Sequence, residues 1–341
     1  RGAEAMSTRR HWRLDARPEG HDYEAALSLQ EETLPELAEG QVRVAAQYLS
    51  MDAGVRVWMS AREDGYSPPI PLGATMQGQF IGRVEASRSD AFEEGDLVRG
   101  FGDWATHSTV DPALAGLTKL DADIDDVRQH FGVLGLNGMT ALCGLTDVIG
   151  GLEEGQTVLV SAAAGATGGA ACQIARNMGC KVYGIAGSPE KCEWLTGTLG
   201  LDGAIDYKRQ NVAEEIAKID GGIDVYFENV GGPILDAALP NMVLGGRIGI
   251  CGLLSGYTSE SGEAGPARFD QILMKRLTVK GIFLPDYLAQ GYDYYPQLRT
   301  WYDEGKLVGD IDETRGIENT LQAFRRMLTG DKSGKVIVAI D

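Results

Sequence analysis

A stretch near the middle of the chain, residues 158–169, constrains the fold more strongly than any other. Its sequence, VLVSAAAGATGG, predicts a buried strand, a tight turn and the start of a helix. Gly165 lets the backbone approach a pyrophosphate closely, and Gly168 lets the helix pack tightly against the strand. Ala163 stands where the first glycine of such a turn is usual, so the pattern is A-x-G-x-x-G, which is weak by itself.

The residues that follow complete a βαβ unit. Residues 167–178 have the pattern of a helix, Gly179 suits the cap at its C-terminus, and residues 181–186 (KVYGIA) predict a second apolar strand. Amide groups at the helix start, assisted by the helix dipole, would face the phosphates. An alanine-rich packing turn without a ligand is the alternative, and the complete βαβ context favours nucleotide binding over it.

The end of that second strand indicates which dinucleotide binds. An NAD site usually places Asp or Glu there, about 20 residues after the glycines, to grip the ribose hydroxyls. This chain has Gly187 and then Ser188, with Lys191 three residues further on, so no carboxylate stands there to repel a 2′-phosphate. Lys191 could equally be a solvated residue, but a cation in the first turn of a helix opposes the dipole. The sequence therefore predicts NADP(H) rather than NAD.

Composition limits the possible partners. The 341 residues are 43% hydrophobic, which is enough for two domains, and they carry a formal net charge of −18. So acidic a chain is a poor nucleic-acid binder and is repelled by anionic membranes. The five cysteines form no C-x-x-C pair, which predicts reduced thiols in a cytoplasmic protein. Residues 1–5, ahead of Met6, have the appearance of a cloning remnant.

The pattern of elements changes along the chain. Residues 13–112 contain short strands separated by Gly and Pro turns, which predicts a compact, mostly antiparallel β domain. From about residue 134, helices alternate with apolar strands, which implies a parallel, doubly wound α/β sheet. A helix at 316–328 and a strand at 335–340 are predicted near the end. The polar, glycine-rich loop at 253–268 follows a sheet strand, where α/β proteins place ligands.

Eight motifs occur in a fixed order and together indicate a family. They are EEGDLVRGFGDWATH, LGLNGMTALCGL, VSAAAGATGGAACQIA, AGSPEK, IDY, FENVGG, GRIGICGLLSGY and GDKSGKVIV. The chain resembles the zinc-independent medium-chain dehydrogenase/reductases, and within them the alkenal double-bond reductases such as prostaglandin and curcumin reductases. The resemblance implies a GroES-like domain, residues 6–133 and 311–341, and an NADP-binding Rossmann domain, residues 134–310, with a cleft between them. It also implies a homodimer joined through the edges of the Rossmann sheets.

The same resemblance implies roles for individual residues. Gly165, Ala166, Thr167 and Gly168 would hold the pyrophosphate, and Lys191 and Tyr207, beside Ser188, would flank the 2′-phosphate. Further cofactor contacts are implied for Thr140 near the nicotinamide ring, Asn229 near a ribose, Cys251, Gly252 and Tyr257 along the nicotinamide side, Phe283 and Leu284 at the nicotinamide amide, and Lys332.

Two positions depart from the family pattern. Gly54, within residues 52–56, stands where the family often has a tyrosine that closes the substrate pocket, which predicts a roomier or differently shaped pocket. Tyr48 and Trp58 are candidates for lining that pocket, although core packing would explain both equally well. Lys332 replaces an asparagine that contacts the cofactor, and a lysine could still reach a phosphate.

The candidate chemistry follows from the metal ligands that the sequence lacks. Catalytic zinc needs three ligands, but the four histidines are scattered, and residues 72–76 read LGATM where zinc-dependent relatives carry Gly-His-Glu. We therefore expect no metal and no alcohol dehydrogenase chemistry. Hydride transfer without a metal suits an α,β-unsaturated ketone or aldehyde, since hydride adds to the β-carbon and hydrogen-bond donors stabilise the enolate. Tyr257 is the candidate donor and proton source, although solvent could protonate the α-carbon and Tyr257 could only pack over the cofactor.

The sequence thus predicts an NADPH-dependent reductase of activated carbon–carbon double bonds that acts on a small-molecule enone or enal. An NADPH quinone oxidoreductase is one alternative, because quinone reductases share the fold and lack zinc. An NADPH-binding sensor or scaffold protein without catalysis is the other, because a fold alone does not determine a function.

Overall fold

The computed structural model describes residues 7–341, so the segment interpreted as a cloning remnant, residues 1–5, lies outside the described residues. The chain forms two compact units. The first contains the chain up to Arg128 together with Ile311–Lys332 and Val336–Asp341, and the second contains Gln129–Asp310 and Ser333–Lys335. The predicted domain limits at residues 133 and 310 stay predictions, because the division into compact units does not show that either unit folds independently.

The elements are numbered along the chain. The strands are β1 (Thr8–Leu14), β2 (Leu27–Thr33), β3 (Val42–Ser50), β4 (Gln77–Ser87), β5 (Leu97–Asp103), β6 (His107–Val110), β7 (Thr118–Lys119), β8 (Thr157–Val160), β9 (Lys181–Ala186), β10 (Gly203–Asp206), β11 (Ile223–Glu228), β12 (Met242–Ile250), β13 (Thr278–Gly281), β14 (Ile311–Arg315) and β15 (Lys335–Ala339). The α-helices are α1 (Val55–Trp58), α2 (Leu136–Cys143), α3 (Ala166–Asn177), α4 (Pro189–Glu193), α5 (Val212–Ala217), α6 (Gly232–Ala238), α7 (Asp270–Met274), α8 (Leu284–Leu288), α9 (Tyr295–Asp303) and α10 (Thr320–Thr329).

The first unit is built on antiparallel strand pairs. β1 pairs with β2, and a seven-stranded sheet has the order β14-β15-β3-β4-β5-β7, with β6 paired to β3. Helix α10 buries Leu321, Phe324 and Met327, which recur every three residues along one face. Its Phe324 ring lies 5.1 Å from the ring of Tyr23 and 5.2 Å from that of Trp104, so these aromatic side chains form the centre of the core.

The second unit is a parallel sheet with the strand order β10-β9-β8-β11-β12-β13. Since β8 is first along the chain, this is the 3-2-1-4-5-6 order of the doubly wound dinucleotide-binding fold. The order reverses between β8 and β11, and ligands of such sheets bind at the carboxyl ends of the strands at that switch point. The predicted fold class, an antiparallel β domain with a doubly wound parallel-sheet domain, is confirmed.

Candidate functional site

The turn between β8 and α3 lies at the switch point of the parallel sheet. Gly165 precedes α3 with an extended backbone, φ −78° and ψ 173°, and no side chain among the described residues caps the helix there. Gly168 packs directly on the turn, since a Cβ at this position would lie 2.1 Å from the carbonyl oxygen of Ala162. The amide groups of the first helical turn are therefore available to an anion, and a pyrophosphate fits this cradle.

The turn contains a left-handed residue that is not glycine. Ala162 has φ +46°, a conformation that costs a residue with a Cβ about 1–2 kcal/mol. We expect Ala162→Gly to raise the free energy of unfolding by about 1 kcal/mol, because it removes this strain. Urea unfolding followed by tryptophan fluorescence would measure the change.

Ala163→Gly is the matched control. The side chain of Ala163 is buried and its φ is not positive, so removing the methyl group should destabilise the chain by about 1 kcal/mol. A lower stability of Ala162→Gly would contradict the interpretation of Ala162 as strained.

A second group of predicted residues meets at the carboxyl ends of β9 and β10. Ser188 caps α4, with its Oγ accepting from the amide of Lys191 at 3.2 Å. The Tyr207 ring packs over Gly187, where a Cβ would lie 2.8 Å from the ring, and Tyr207 remains 44% exposed. The Ser188 hydroxyl and the exposed Tyr207 phenol therefore lie at this end of the sheet, and Lys191 is in the helix that Ser188 caps.

A buried hydrogen-bond cluster joins β8 to β11 at the switch point. The backbone amide of Asn229 donates to Ser161 Oγ at 2.9 Å, and Asn229 Nδ2 donates to the Ser161 carbonyl oxygen at 2.7 Å. The predicted ribose contact of Asn229 therefore depends on the remaining hydrogen-bonding positions of its carboxamide. Burial first, and the neighbouring Glu228 second, raise the pKa of the Tyr226 phenol in the same cluster.

The loop that begins after β12 carries the predicted catalytic residue. The Leu254 amide donates to the carbonyl oxygen of Asn229 at 3.1 Å, so a hydrogen bond fixes the loop to the residue that follows β11. Tyr257 Oη accepts from the amide of Leu253 at 3.2 Å, and a tyrosine hydroxyl can both accept and donate a hydrogen bond. Burial raises the pKa of the Cys251 thiol to about 12, so this predicted contact is a neutral thiol.

The remaining predicted contacts of the second unit lie on α2 and after β13. Thr140 is half-buried in the last turn of α2. Phe283 is the residue that precedes α8, and Leu284 begins that helix with 4% of its surface exposed. Leu284 is thus held in the core, so its predicted contact with the nicotinamide amide has to come from its backbone.

A small pocket lies beside the turn and the start of α3. It is lined by Gln129, Gly132, Val133, Gly165, Ala166, Gly169, Ala170, Gln173, Trp194, Val308, Gly309, Asp310, Gly334 and Lys335. Gln129 Oε1 is buried without a partner among the described residues, and Lys335 is only 4% exposed. The lining of this pocket therefore combines an acceptor that has no partner among the described residues with the buried Lys335, beside Gly165 and Ala166.

The predicted substrate-side residues and Lys332 belong to the first unit. Tyr48 on β3 and Trp58 at the end of α1 are both half-buried, and the Trp58 ring lies 6.5 Å from the ring of Phe101. A Cβ at Gly54 would lie 3.2 Å from the hydroxyl oxygen of Tyr66. Tyr66 therefore lies beside the position at which the family often has a tyrosine.

Comparisons with known proteins agree with this geometry. The family described as N-terminal domain of oxidoreductase matches residues 10–120, and the family described as zinc-binding dehydrogenase matches residues 166–303. The chain is 37% identical over 337 residues to the NADPH-dependent curcumin reductase of Escherichia coli (strain K12), which covers 97% of this chain and 96% of that protein. The chain belongs to the zinc-independent alkenal double-bond reductases of the medium-chain dehydrogenase/reductase family.

Two further comparisons support this membership of the double-bond reductases. An NADP(+)-dependent 2-alkenal reductase of Nicotiana tabacum is 35% identical over 295 residues, which covers 86% of this chain and 85% of that protein. The crystal structure of CurA from Vibrio vulnificus in complex with NADPH matches with a TM-score of 0.90 and 35% identity, and the match covers 97% of this chain and 99% of that one. The resemblance drawn from the eight motifs is therefore confirmed.

Sequence reasoning missed three residues that lie next to the predicted cofactor contacts. Lys208 places its Nζ 5.9 Å from the ring centre of Tyr207 and so puts a cation beside that phenol; its position directly after IDY is a signal that could have found it. Asn137 Nδ2 donates to Thr167 Oγ1 at 2.8 Å and fixes the first turn of α3. Glu228 lies at the centre of the switch-point cluster, and the sequence gives no signal for its contacts.

Two further findings concern metals and membranes. Residues 7–341 contain no group of three or more His, Cys, Asp or Glu side chains placed to hold a metal ion. None of the helices in the same residues has the length and apolar character needed to cross a bilayer.

Proposed function

We propose that the chain is an NADPH-dependent reductase of the carbon–carbon double bond of α,β-unsaturated ketones and aldehydes. The observation that carries this proposal is the pair of sites on one parallel sheet: a phosphate cradle at the uncapped start of α3, and a corner with Ser188, Lys191 and Tyr207 that suits a 2′-phosphate. The named activities of the Escherichia coli and Nicotiana tabacum relatives support the same reaction.

The cofactor would be held along the carboxyl edge of the sheet. Gly165–Gly168 would bind the pyrophosphate, Lys191 and Tyr207 the 2′-phosphate, and Asn229 a ribose. Residues 251–257, Thr140 and the Phe283–Leu284 backbone would surround the nicotinamide. Lys332 would contribute a cation where the family has an asparagine.

Bound NADPH would supply a hydride to the β-carbon of the acceptor. Tyr257 would donate its hydroxyl proton as a hydrogen bond to the acceptor carbonyl oxygen, where negative charge develops as the double bond is reduced. The Leu253 amide orients that hydroxyl, because Tyr257 Oη accepts from it at 3.2 Å. Protonation of the α-carbon, by Tyr257 or by solvent, would complete the saturated product.

The substrate pocket would be lined by Tyr48, Gly54 and Trp58. Gly54 leaves room that a tyrosine would fill, while the nearby Tyr66 hydroxyl limits that room on one side. This arrangement supports acceptors of a different shape from those of relatives that carry the tyrosine, and an aromatic lining favours aryl or alkyl enones over small polar aldehydes.

A homodimer in the cytoplasm is part of the proposal. β13 is the edge strand of the parallel sheet, and all four of its residues are exposed. Large apolar side chains near that edge are also exposed, namely Leu244, Phe269, Leu273, Met274 and Val279. An exposed edge strand with apolar side chains nearby is a template for pairing with a second copy. The cytoplasm is supported by the five cysteines, which form no disulfide within residues 7–341.

An acceptor screen with NADPH tests the function. Purified protein would be mixed with short enals, aryl enones, longer lipid enones, saturated aldehydes and quinones, and the cofactor absorbance would be followed. We expect oxidation of NADPH with enones and enals and none with saturated aldehydes. Turnover with quinones alone would replace the proposal by quinone reduction, and NADPH binding without turnover on any acceptor would indicate a sensor or scaffold.

Lys191→Ala tests the choice of cofactor. We expect the Kd of NADPH to rise about tenfold, because one charge-assisted hydrogen bond to the 2′-phosphate is lost, while the Kd of NADH stays within about twofold. Fluorescence titration of the reduced cofactors would measure both constants. Equal losses for the two cofactors would show that Lys191 does not contact the 2′-phosphate.

A further inference from the structure

Glu228 is a buried carboxyl group that is not among the predicted cofactor contacts. It is the last residue of β11 and has none of its surface exposed. Its Oε1 accepts three hydrogen bonds, from Ser161 Oγ at 3.1 Å, the Val230 amide at 2.5 Å and the Gly231 amide at 2.8 Å. Its Oε2 has no partner among the described residues. Burying such a group is costly, so its position calls for a compensating role.

The three donors belong to segments that carry the predicted cofactor contacts. Ser161 opens the turn that leads to Gly165, and its carbonyl oxygen and hydroxyl both bind Asn229. The Val230 carbonyl oxygen in turn accepts from the Ser255 amide at 3.0 Å and from Ser255 Oγ at 2.7 Å. One carboxyl oxygen thus connects the phosphate turn, the Asn229 carboxamide and the loop that ends at Tyr257.

We infer that Glu228 is a positioning residue, which fixes the phosphate turn, Asn229 and the 251–257 loop in one arrangement that accepts the dinucleotide. This inference rests on the proposed function. Glu228 is buried beneath these segments and acts through them, with no contact of its own to cofactor or substrate. Preorganisation of this kind lowers the ordering that binding would otherwise require.

The same two strands supply a matched control at their opposite ends. Asp224 Oδ2 accepts from the Thr157 amide at 2.8 Å, so a second carboxyl group joins β11 to β8 at the amino end, away from the predicted site. Loss of either carboxyl group weakens the strand pair. Only the loss of Glu228 should disturb the cofactor contacts.

Four variants test the inference by measuring Kd for NADPH and NADH, kcat, and the unfolding temperature. We expect Glu228→Ala to raise both Kd values by the same factor of about ten, and Glu228→Gln to recover to within about threefold of the wild type, because its amide oxygen can still accept the three donors. Asp224→Ala should lower the unfolding temperature and leave both Kd values within about twofold. Ser161→Ala, a milder change, should also raise both Kd values. If Glu228→Ala does not fold, the Kd values of Ser161→Ala test the inference in its place.

Three results would overturn the inference. The first is wild-type cofactor affinity in Glu228→Ala, or in Ser161→Ala if Glu228→Ala does not fold. The second is a loss of cofactor affinity in Asp224→Ala as large as in Glu228→Ala. The third is a cofactor affinity of Glu228→Gln as low as that of Glu228→Ala. Failure of the proposed function is distinguishable, because it would appear as absent NADPH binding or absent enone reduction in the wild-type protein itself.

Discussion

Gly168→Ala should reduce the affinity for NADPH about a hundredfold and lower the free energy of unfolding by about 3 kcal/mol. The added Cβ would lie 2.1 Å from the carbonyl oxygen of Ala162 and 2.9 Å from its carbonyl carbon. Both contacts are with backbone atoms, so no side chain can rotate away to relieve them. The start of α3 would have to move away from β8, and the amide groups proposed to bind the pyrophosphate would move with it.

The neighbouring glycine of the same helix provides the control. A Cβ at Gly169 would find its nearest atoms, the Ala163 carbonyl oxygen and the Trp194 ring, at 3.4 and 3.5 Å, which are ordinary contacts. Gly169→Ala should therefore keep NADPH affinity within about threefold and could gain up to about 1 kcal/mol of stability from helix propensity. Fluorescence titration and urea unfolding would compare the two variants, and equal behaviour would show that the close approach at Gly168 is not what the turn requires.

The elements of the parallel sheet were predictable because local signals determine them. The predicted strand at 181–186 is the observed β9, and the helix predicted at 167–178 is observed at Ala166–Asn177. Strands buried on both faces appear in a sequence as continuous apolar runs, and a glycine after a helix predicts its end. These signals come from neighbouring residues in the chain, so one sequence is enough to read them.

The predicted bounds of one helix were wrong, because tertiary contacts determine where it begins. The helix predicted at 316–328 divides into a 3₁₀ turn at Ile317–Asn319 and α10 at Thr320–Thr329. The 3₁₀ turn packs on the first unit's core, where the indole nitrogen of Trp12 donates to the Ile317 carbonyl oxygen at 2.9 Å. A bond that joins residues 305 positions apart leaves no periodicity in the sequence.

The candidate site was predictable by residue type but not by contact. Ser188, Lys191 and Tyr207 could be selected because a phosphate needs donors and cations. The hydrogen bond from Asn229 Nδ2 to the Ser161 carbonyl oxygen, by contrast, joins residues 68 positions apart. The contacts of Glu228 likewise depend on the β8–β11 pairing. Such contacts become visible only when the strand order is known, which is why the centre of the switch-point cluster escaped the sequence analysis.

Tyr257→Phe should lower kcat about a hundredfold while the Kd of NADPH stays within about twofold. Removing the hydroxyl takes away the donor that would stabilise charge on the acceptor oxygen, and this interaction matters more in the transition state than in the ground state. Single-turnover oxidation of NADPH with an enone, together with cofactor titration, would separate the chemical step from binding.

The variant also removes the acceptor of the Leu253 amide, so a loosened loop has to be distinguished from lost chemistry. Ser255→Ala provides that control, because it deletes a hydroxyl of the same loop that lies 2.7 Å from both the Val230 carbonyl oxygen and Glu263 Oε2 and can donate to either. We expect Ser255→Ala to keep kcat within about threefold. Equal losses in the two variants would assign the effect to loop order, and an unchanged kcat in Tyr257→Phe would remove Tyr257 from the reaction and leave protonation to solvent.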